Sequence, residues 1–177
     1  MTMAVLEILV YPDPRLKEIA RPVETVDQAT LDFIADLEET LLAGPAGVGI
    51  AAPQVGCLKR IVIVDVSSKP KIPHHGHLVL INPVIVASEG SVVGREGCLS
   101  VPDYTGNVAR ANRITLSAWD KTGTEQVYHM EGFEARAVQH EMDHLEGLLF
   151  LDRLVSRRDI FRRKVYQKPG TPASKPS

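Results

Sequence analysis

Sequence patterns typical of β-strands occupy the middle of the chain, and segments with helical periodicity lie on both sides of them. Runs rich in β-branched and aromatic residues predict strands in RIVIVDV (60–66), LVLINP (78–83), VIVAS (84–88), RITLSAWD (113–120) and EQVYHMEG (125–132). Pro83 is expected to separate the second run from the third. Gly123, in KTG, suits a hairpin turn between the last two. The order helix, strands, helix predicts an α+β fold with antiparallel or mixed β-sheets.

Apolar residues that recur at helical spacing predict two helices. The first covers 27–44, where Gly44 and Pro45 end a pattern formed by Leu31, Ile34, Leu37, Leu41 and Leu42. The second runs from about Phe133 to Glu146. We also expect a short helix in DPRLKEIA (13–20) and a basic one in RRDIFRRKVY (157–166). The segment PAGVGIAAPQVG (45–56) is dense in Gly and Ala and indicates close backbone approach rather than regular structure.

The size and charge of the chain limit the classes of protein to which it can belong. Its 177 residues fit one domain, followed by a polar tail (168–177) whose composition is typical of disorder. A formal net charge of −2 gives no electrostatic reason to expect a DNA partner. Two cysteines argue against a secreted disulfide scaffold. Neither a signal peptide nor a membrane span is visible, so we expect a cytoplasmic protein.

The stretch QHEMDHLEG (139–147) carries the strongest chemical signal. On a helix, His140 and His144 lie one above the other and can offer two imidazoles to one metal ion, with Glu141 offset as a base. The alternative is a solvated polar stripe on a surface helix. Apolar neighbours favour the metal, because a buried polar pair needs partners: Val138, Met142, Leu145, Leu148, Leu149 and Phe150. We therefore expect the sheets to pack around this helix.

A catalytic site of this kind normally has a third protein ligand. Phe150 stands where a metzincin has its third histidine, and no Glu follows Glu146, so the ligand must come from earlier in the chain. EGCLS (96–100) offers Cys98, whose thiolate would complete a Cys–His–His set suited to iron or zinc. The alternative for Cys98 is a small buried apolar residue.

The glycine-rich segment GVGIAAPQ (47–54) does not match a phosphate-binding loop. It lacks the third glycine, the preceding strand and the following Lys. It is either a tight structural turn or a place where a substrate backbone lies close. In the second case the amide of Gln54 can donate to an oxyanion.

Taken together, GVGIAAPQ, EGCLS and QHEMDHLEG resemble the three motifs of the peptide deformylases, in the order of that family. The resemblance extends from ILVYPDPRL (8–16) to about Leu154, and the expected C-terminal helix resembles the bacterial class that has one. It implies a single catalytic domain over 1–167. It also implies a metal-dependent hydrolase that removes the N-formyl group from the N-terminal formylmethionine of newly synthesised proteins and releases formate.

The resemblance also implies roles for individual residues. Cys98, His140 and His144 would bind one divalent metal ion, with Fe²⁺ expected in the cell and Zn²⁺, Ni²⁺ or Co²⁺ as substitutes. Glu141 would be the general acid/base acting on metal-bound water. The amide of Gln54 and the N–H of Leu99 would hold the formyl oxygen. Substrate would contact Gly49, Val48, Phe133, Arg136 and Ala137. An ion pair behind Cys98 is expected between Glu96 and Arg110, and the alternative for Arg110 is a plain surface role.

Partners and alternatives follow from the same segments. N-formylmethionyl nascent peptides are the expected partners, and the basic segment 157–166 would either contact the ribosome or form a solvated face. The location would be the bacterial cytoplasm, or an organelle if a transit segment was removed. A zinc endopeptidase would need a third ligand downstream, and a non-catalytic binding protein would have lost Glu141, Gln54 or a ligand. His74, His75 and His77 are interpreted as a surface loop without a nearby carboxylate.

Overall fold

The computed structural model describes residues 4–44 and 47–163. In these ranges the helices and strands follow the order α1 (Gln28–Ala43), β1 (Gly49–Ala51), β2 (Ile61–Asp65), β3 (His77–Glu89), β4 (Val92–Cys98), β5 (Val101–Arg110), β6 (Arg113–Trp119), β7 (Glu125–Glu131), α2 (Gly132–Leu145) and β8 (Ile160–Arg162). Short 3-10 helices cover Pro14–Lys17, Ala52–Val55 and Phe150–Arg153. The predicted polar tail (168–177) lies outside the described residues. No helix in the described part of the chain has the length and apolarity that a membrane crossing requires.

The strands form two sheets. A five-stranded sheet has the order β1-β2-β3-β6-β7, and a three-stranded sheet has the order β4-β5-β8. All strand pairs within these sheets are antiparallel. The α+β prediction, with sheets packed around the helix that carries HEMDH, is confirmed.

Strand β2 lies at the centre of the larger core because both of its faces are covered. Val62 and Val64 pack in a cluster with residues of α2, among them Val138 and Leu145. The alternate residues Ile61 and Ile63 pack in a second cluster, with Ile34, Leu37 and Leu41 of α1. Successive side chains of a strand point to opposite faces, so an uninterrupted apolar run is what a sheet covered on both sides requires.

Helix α2 ends against the N-terminal part of the chain. Its last residue, Leu145, accepts a backbone hydrogen bond of 2.9 Å from Ala20. Gly147 follows with φ +73°, and a Cβ there would overlap the backbone carbonyl of Lys17. Only glycine tolerates both the positive φ and this close approach. Gly147 thus fixes where α2 ends and allows that end to lie against the backbone of Lys17.

Several sequence predictions of local structure are wrong. Pro83 does not separate two strands, because β3 runs through it with register irregularities between Ile81 and Val84 and between Ile85 and Ala87. The segment expected to be irregular contains β1 and the 3-10 helix Ala52–Val55. Strands β4 and β5 were not predicted, since their sequences contain glycines and a proline and lack clean alternation.

The basic helix predicted for 157–166 is also wrong over its described part, 157–163. The chain there makes a turn and then forms β8, whose residues Ile160–Arg162 pair with Tyr104–Gly106 of β5. Further backbone bonds join Asn107 N–H to Asp159 O (2.9 Å) and Arg163 N–H to Asp103 O (2.7 Å). Pairing with the open edge of β5 is therefore favoured over the helix that the local sequence pattern predicts.

Candidate active site

Three side chains with metal-ligating atoms meet between the two sheets. Cys98 is the last residue of β4, and His140 and His144 lie one turn apart on α2. All three are buried, and one ligand atom from each lies within 4.8 Å of the others. The Cys98 Sγ is 3.4 Å from Nε2 of His144. The cluster forms because the end of β4 lies close to the face of α2 that carries both histidines.

The donor set and its surroundings fit a transition metal. A thiolate with two imidazoles suits iron or zinc. The carboxylate oxygen Oε1 of Glu141 lies 3.7 Å from Nε2 of His144, and this buried oxygen has no hydrogen-bond partner among the described residues. A polar molecule bound beside the three ligands could therefore donate a hydrogen bond to this unsatisfied oxygen of Glu141.

The two histidines differ in electrostatic environment. Burial lowers the pKa of His144 well below its ordinary value, which keeps this imidazole neutral. For His140, burial is outweighed by the negative charge of Glu141 and by contacts with Cys98 and Glu96, so its pKa lies well above the ordinary value. Ligating imidazoles are neutral, so His140 would have to lose a proton in order to serve as a metal ligand.

Glu96 orients His140 from behind. Its Oε1 accepts a 2.8 Å hydrogen bond from Nδ1 of His140, which leaves Nε2 for a metal. Arg110 donates to both carboxylate oxygens at 2.9 Å, and Arg136 donates to Oε2 at 2.6 Å. Burial alone would raise the pKa of Glu96, but the bonds from His140 and Arg110 lower it to about 2. The carboxylate is thus held in its charged form.

Asp143 continues this charge network. It is buried, accepts from Arg110 at 2.5 Å and from Arg153 at 2.8 Å, and lies on α2 between the two histidines. Asp143 therefore faces the protein interior and not solvent. Arg110 therefore links β4 to α2 through one carboxylate on each.

Glu141 is buried beside the cluster. Burial is the main reason that its pKa is raised to about 7. Gly49 makes room for it, because a Cβ at Gly49 would lie 2.8 Å from both Cγ and Oε2 of Glu141. The glycine-rich segment thus contacts the carboxylate of the helix motif.

Gln54 is held in one orientation. Its Oε1 accepts from the backbone N–H of Ala51 at 2.9 Å, and its Nε2 donates to the Ser100 hydroxyl at 3.1 Å and approaches Cys98 Sγ at 3.5 Å. The amide NH₂ therefore faces the thiolate side of the cluster. Leu99 follows Cys98 directly, at the turn between β4 and β5.

A cleft with a volume of about 290 Å³ leads to the cluster. The five residues named as substrate contacts from the sequence all line it: Val48, Gly49, Phe133, Arg136 and Ala137. Gln54, Cys98, Leu99, His140 and Glu141 line it as well. Arg136 does more than present its aliphatic stem, because its guanidinium binds Glu96 and the carbonyl of Val108.

Sequence reasoning missed several residues of this region. Ser100 holds the Gln54 amide, and its only signal was its place in EGCLS. Lys69, Arg95 and Arg163 also line the cleft. Lys69 and Arg95 are isolated basic residues in a loop and an unpredicted strand, and Arg163 belongs to the basic segment that was predicted as a helix, so no pattern placed them at the cleft.

His75, in the loop before β3, and His77, the first residue of β3, have carboxylate partners, contrary to expectation. His75 Nδ1 lies 2.6 Å from Glu134 Oε1, and His77 Nε2 lies 2.6 Å from Glu38 Oε2. These partners come from α2 and α1, so sequence neighbours alone did not indicate them. Both histidines are exposed, in keeping with a surface loop.

Comparisons with known proteins agree with this arrangement. The family model for polypeptide deformylase matches residues 5–159. A peptide deformylase of Syntrophobacter fumaroxidans is 44% identical over 167 residues, which cover 94% of this chain and 96% of the relative. A crystal structure of a peptide deformylase from Legionella pneumophila superposes with a TM-score of 0.78 at 41% identity, covering 85% of this chain and 86% of that one.

A further crystal structure, of a peptide deformylase from Ehrlichia chaffeensis in complex with actinonin, gives a TM-score of 0.81 at 39% identity and covers 88% of this chain and 91% of that one. The matched region contains Cys98, His140 and His144 together with all three sequence motifs. The chain belongs to the peptide deformylase family.

Proposed function

We propose that this chain hydrolyses the N-formyl group of N-terminal formylmethionine on newly synthesised proteins and releases formate. The observation that carries the proposal is the cluster of Cys98, His140 and His144 beside the buried Glu141, at the end of an open cleft. A single catalytic domain over 1–167 is part of the proposal. The bacterial cytoplasm is the expected location, since the matched relatives are bacterial.

Cys98, His140 and His144 would hold the metal ion. When bound, the metal supplies a Lewis acid that lowers the pKa of a water molecule and polarises the formyl carbonyl. We propose Fe²⁺ as the ion in the cell, with Zn²⁺, Ni²⁺ and Co²⁺ as substitutes. The mixed thiolate and imidazole donors support this group of ions.

Glu141 would act as the general acid/base. It takes a proton from the attacking water and later gives this proton to the departing amine. Its raised pKa, about 7, supports both transfers, because a group that must accept and then donate works best near the ambient pH. The unpartnered Oε1 supports the same role, because no described side chain competes for the proton.

Gln54 and Leu99 would stabilise the charge that develops on the formyl oxygen. The amide of Gln54 cannot titrate, and its fixed orientation means that little reorganisation is needed during the reaction. The N–H of Leu99 would be the second donor. Both lie next to Cys98, where the formyl group has to sit.

The cleft walls would select the substrate. Val48, Phe133 and Ala137, with the stem of Arg136, offer an apolar surface for a methionine side chain. A formyl carbon carries only hydrogen, so crowding beside the thiolate would exclude acetyl and larger acyl groups. A ribosome contact through the exposed Arg157, Arg158 and Arg162 is a further proposal, which co-sedimentation with ribosomes tests.

Formate release tests the proposed function. Anaerobically purified protein of known metal content is incubated with formyl-Met-Ala-Ser and, as a matched control, acetyl-Met-Ala-Ser. We expect formate from the first, no acetate from the second, and loss of activity on chelation that added metal restores. Cleavage at an internal peptide bond would instead indicate an endopeptidase. No release from a metal-loaded sample would contradict the proposal.

A further inference from the structure

Three basic side chains surround the mouth of the cleft: Lys69, Arg95 and Arg163. We call them the basic rim. They come from the turn after β2, from β4 and from the residue after β8, and all three are exposed. A fourth basic residue of the cleft, Arg136, is already bound to Glu96. The rim therefore adds three positive charges where a peptide enters.

Within the described ranges, none of the three rim residues forms an ion pair with a carboxylate. Among the described residues that line the cleft, Glu96 and Glu141 are the only acidic ones, and both are buried. Glu96 is already bound by Arg110, Arg136 and His140. Asp159 interacts with Arg95 only through its more distant charge and does not line the cleft. Most of the charge of the rim is therefore left for a ligand to neutralise.

The rim side chains are held in place by contacts that are not ionic. Arg95 donates to Asn107 Oδ1 at 3.1 Å and to Thr105 Oγ1 at 3.3 Å, and its guanidinium lies 3.8 Å from the ring centre of Phe161. Lys69 Nζ lies 5.4 Å from the ring centre of Phe133. Such contacts fix a cation without neutralising it.

Arg163 lies against the residue that precedes Cys98. Its guanidinium occupies the space that a Cβ at Gly97 would fill, and Gly97 directly precedes Cys98. The strand pairing of β8 with β5 places Arg163 there. A peptide whose formyl group reaches Cys98 would pass these side chains within its next few residues, because an extended chain advances by roughly 3.3 Å per residue.

We propose that the basic rim selects formylated peptides that carry a carboxylate at the second to fourth residue. The carboxylate is either an Asp or Glu side chain or the C-terminus of a short peptide. This inference rests on the proposed function. A phosphate backbone would also attract the rim, but the rim residues line the same cleft as Gln54, Cys98 and Glu141, and a peptide substrate has to enter there.

The test compares kcat/KM for C-terminally amidated formyl-Met-Ala-Asp-Ala, its Asn analogue and its Lys analogue, on metal-loaded protein. At low ionic strength we expect the Asp peptide to exceed the Asn peptide by roughly three- to tenfold, mainly through KM, and the Lys peptide to fall below both. High salt should shrink these ratios. Comparing formyl-Met-Ala-Ser as free acid and as amide separates the C-terminal source from the side-chain source.

Variants assign the selectivity to the rim. The triple variant Lys69→Gln, Arg95→Gln, Arg163→Gln should bring the Asp to Asn ratio to about one, and Lys69→Gln alone, which removes no hydrogen bond of the described residues, should lower it in part. Arg162→Gln is the matched control, because Arg162 is exposed on β8 and does not line the cleft. It should retain the wild-type ratio.

Three results would overturn the proposal and leave the proposed function intact. The first is an Asp to Asn ratio near one for the wild type, with rapid release from the Asn peptide. The second is a wild-type ratio that persists in the triple variant. The third is competitive inhibition by polyuridylate without any peptide preference, which would assign the rim to RNA. Absence of formate from every peptide would instead contradict the proposed function, and this inference with it.

Discussion

Glu96 connects the proposed metal ligands to the surrounding fold through three different side chains. It binds His140, Arg110 and Arg136, and it stands two residues before Cys98 on the same strand. Arg110 in turn binds Asp143, which lies between the two histidines on α2. The distance between the thiolate and the imidazoles is therefore set by buried charges as well as by apolar packing.

Replacing Glu96 by Gln tests this role at the scale of one residue. Glu96→Gln should weaken metal binding by roughly 10- to 100-fold, because His140 loses its charged partner. It should also lower the free energy of unfolding by about 3 kcal/mol, the low end for a broken buried ion pair, since Asp143 still binds Arg110. Chelator competition and urea unfolding measure the two effects.

Glu131→Gln provides the control for this substitution. Glu131 is exposed and its carboxylate lies 3.7 Å from Arg113, so the same chemical change should leave metal affinity and stability almost unaltered. Metal affinity of Glu96→Gln equal to that of wild type would contradict the role given to Glu96.

At the scale of elements, the helices and strands with the strongest local sequence patterns were the ones predicted correctly. Helices α1 and α2 were predicted within about one residue, because their apolar residues recur at helical spacing and glycines follow their ends. β2 was predicted because an apolar β-branched run suits a strand buried on both faces. Leu42 is an exception within α1, since it fits the pattern but is 78% exposed.

The elements that were missed depend on tertiary partners. β4 and β5 hold their register through pairing with each other, and β8 exists because β5 offers it an edge. β3 passes through Pro83 because register irregularities relieve the missing backbone donor. None of these causes is visible within a short window of sequence.

The N-cap of α1 gives a prediction at this scale. The Asp27 carboxylate accepts from Thr30 N–H at 2.8 Å, and this bond is the main cause of its lowered pKa, below the ordinary 3.8. Asp27→Ala should lower Tm by a few degrees at neutral pH, while Asp27→Asn should stay near wild type. Thermal unfolding followed by circular dichroism measures both.

The pH dependence of this effect has a definite sign. A group whose pKa is lower in the folded state stabilises fully above its unfolded pKa and loses this contribution as the pH falls through the folded pKa. The advantage of wild type over Asp27→Ala should therefore persist above pH 3.8 and shrink below it. Equal Tm values at neutral pH, or an undiminished gap in acid, would count against the cap.

For the molecule as a whole, the site was more predictable than the sheets around it. Each sequence motif contributes at least one residue to the same cleft: Gly49 and Gln54 from the first, Cys98 from the second, and His140 and Glu141 from the third. His144, also from the third motif, completes the cluster with Cys98 and His140. The types and spacings of these residues are enough to indicate their chemistry. The basic rim was not predictable, because Lys69, Arg95 and Arg163 are far apart in sequence and meet only through the fold.

The central claim is that Cys98, His140 and His144 hold the metal while Glu141 moves the proton. The most direct test compares metal content and formate release of Glu141→Gln and wild type, prepared together and checked for equal far-UV circular dichroism. We predict equal metal content and formate release lower by roughly 100- to 10,000-fold in the variant. Turnover near the wild-type rate at equal metal content would contradict the role of Glu141, and loss of the metal in the variant would contradict the assignment of the ligands.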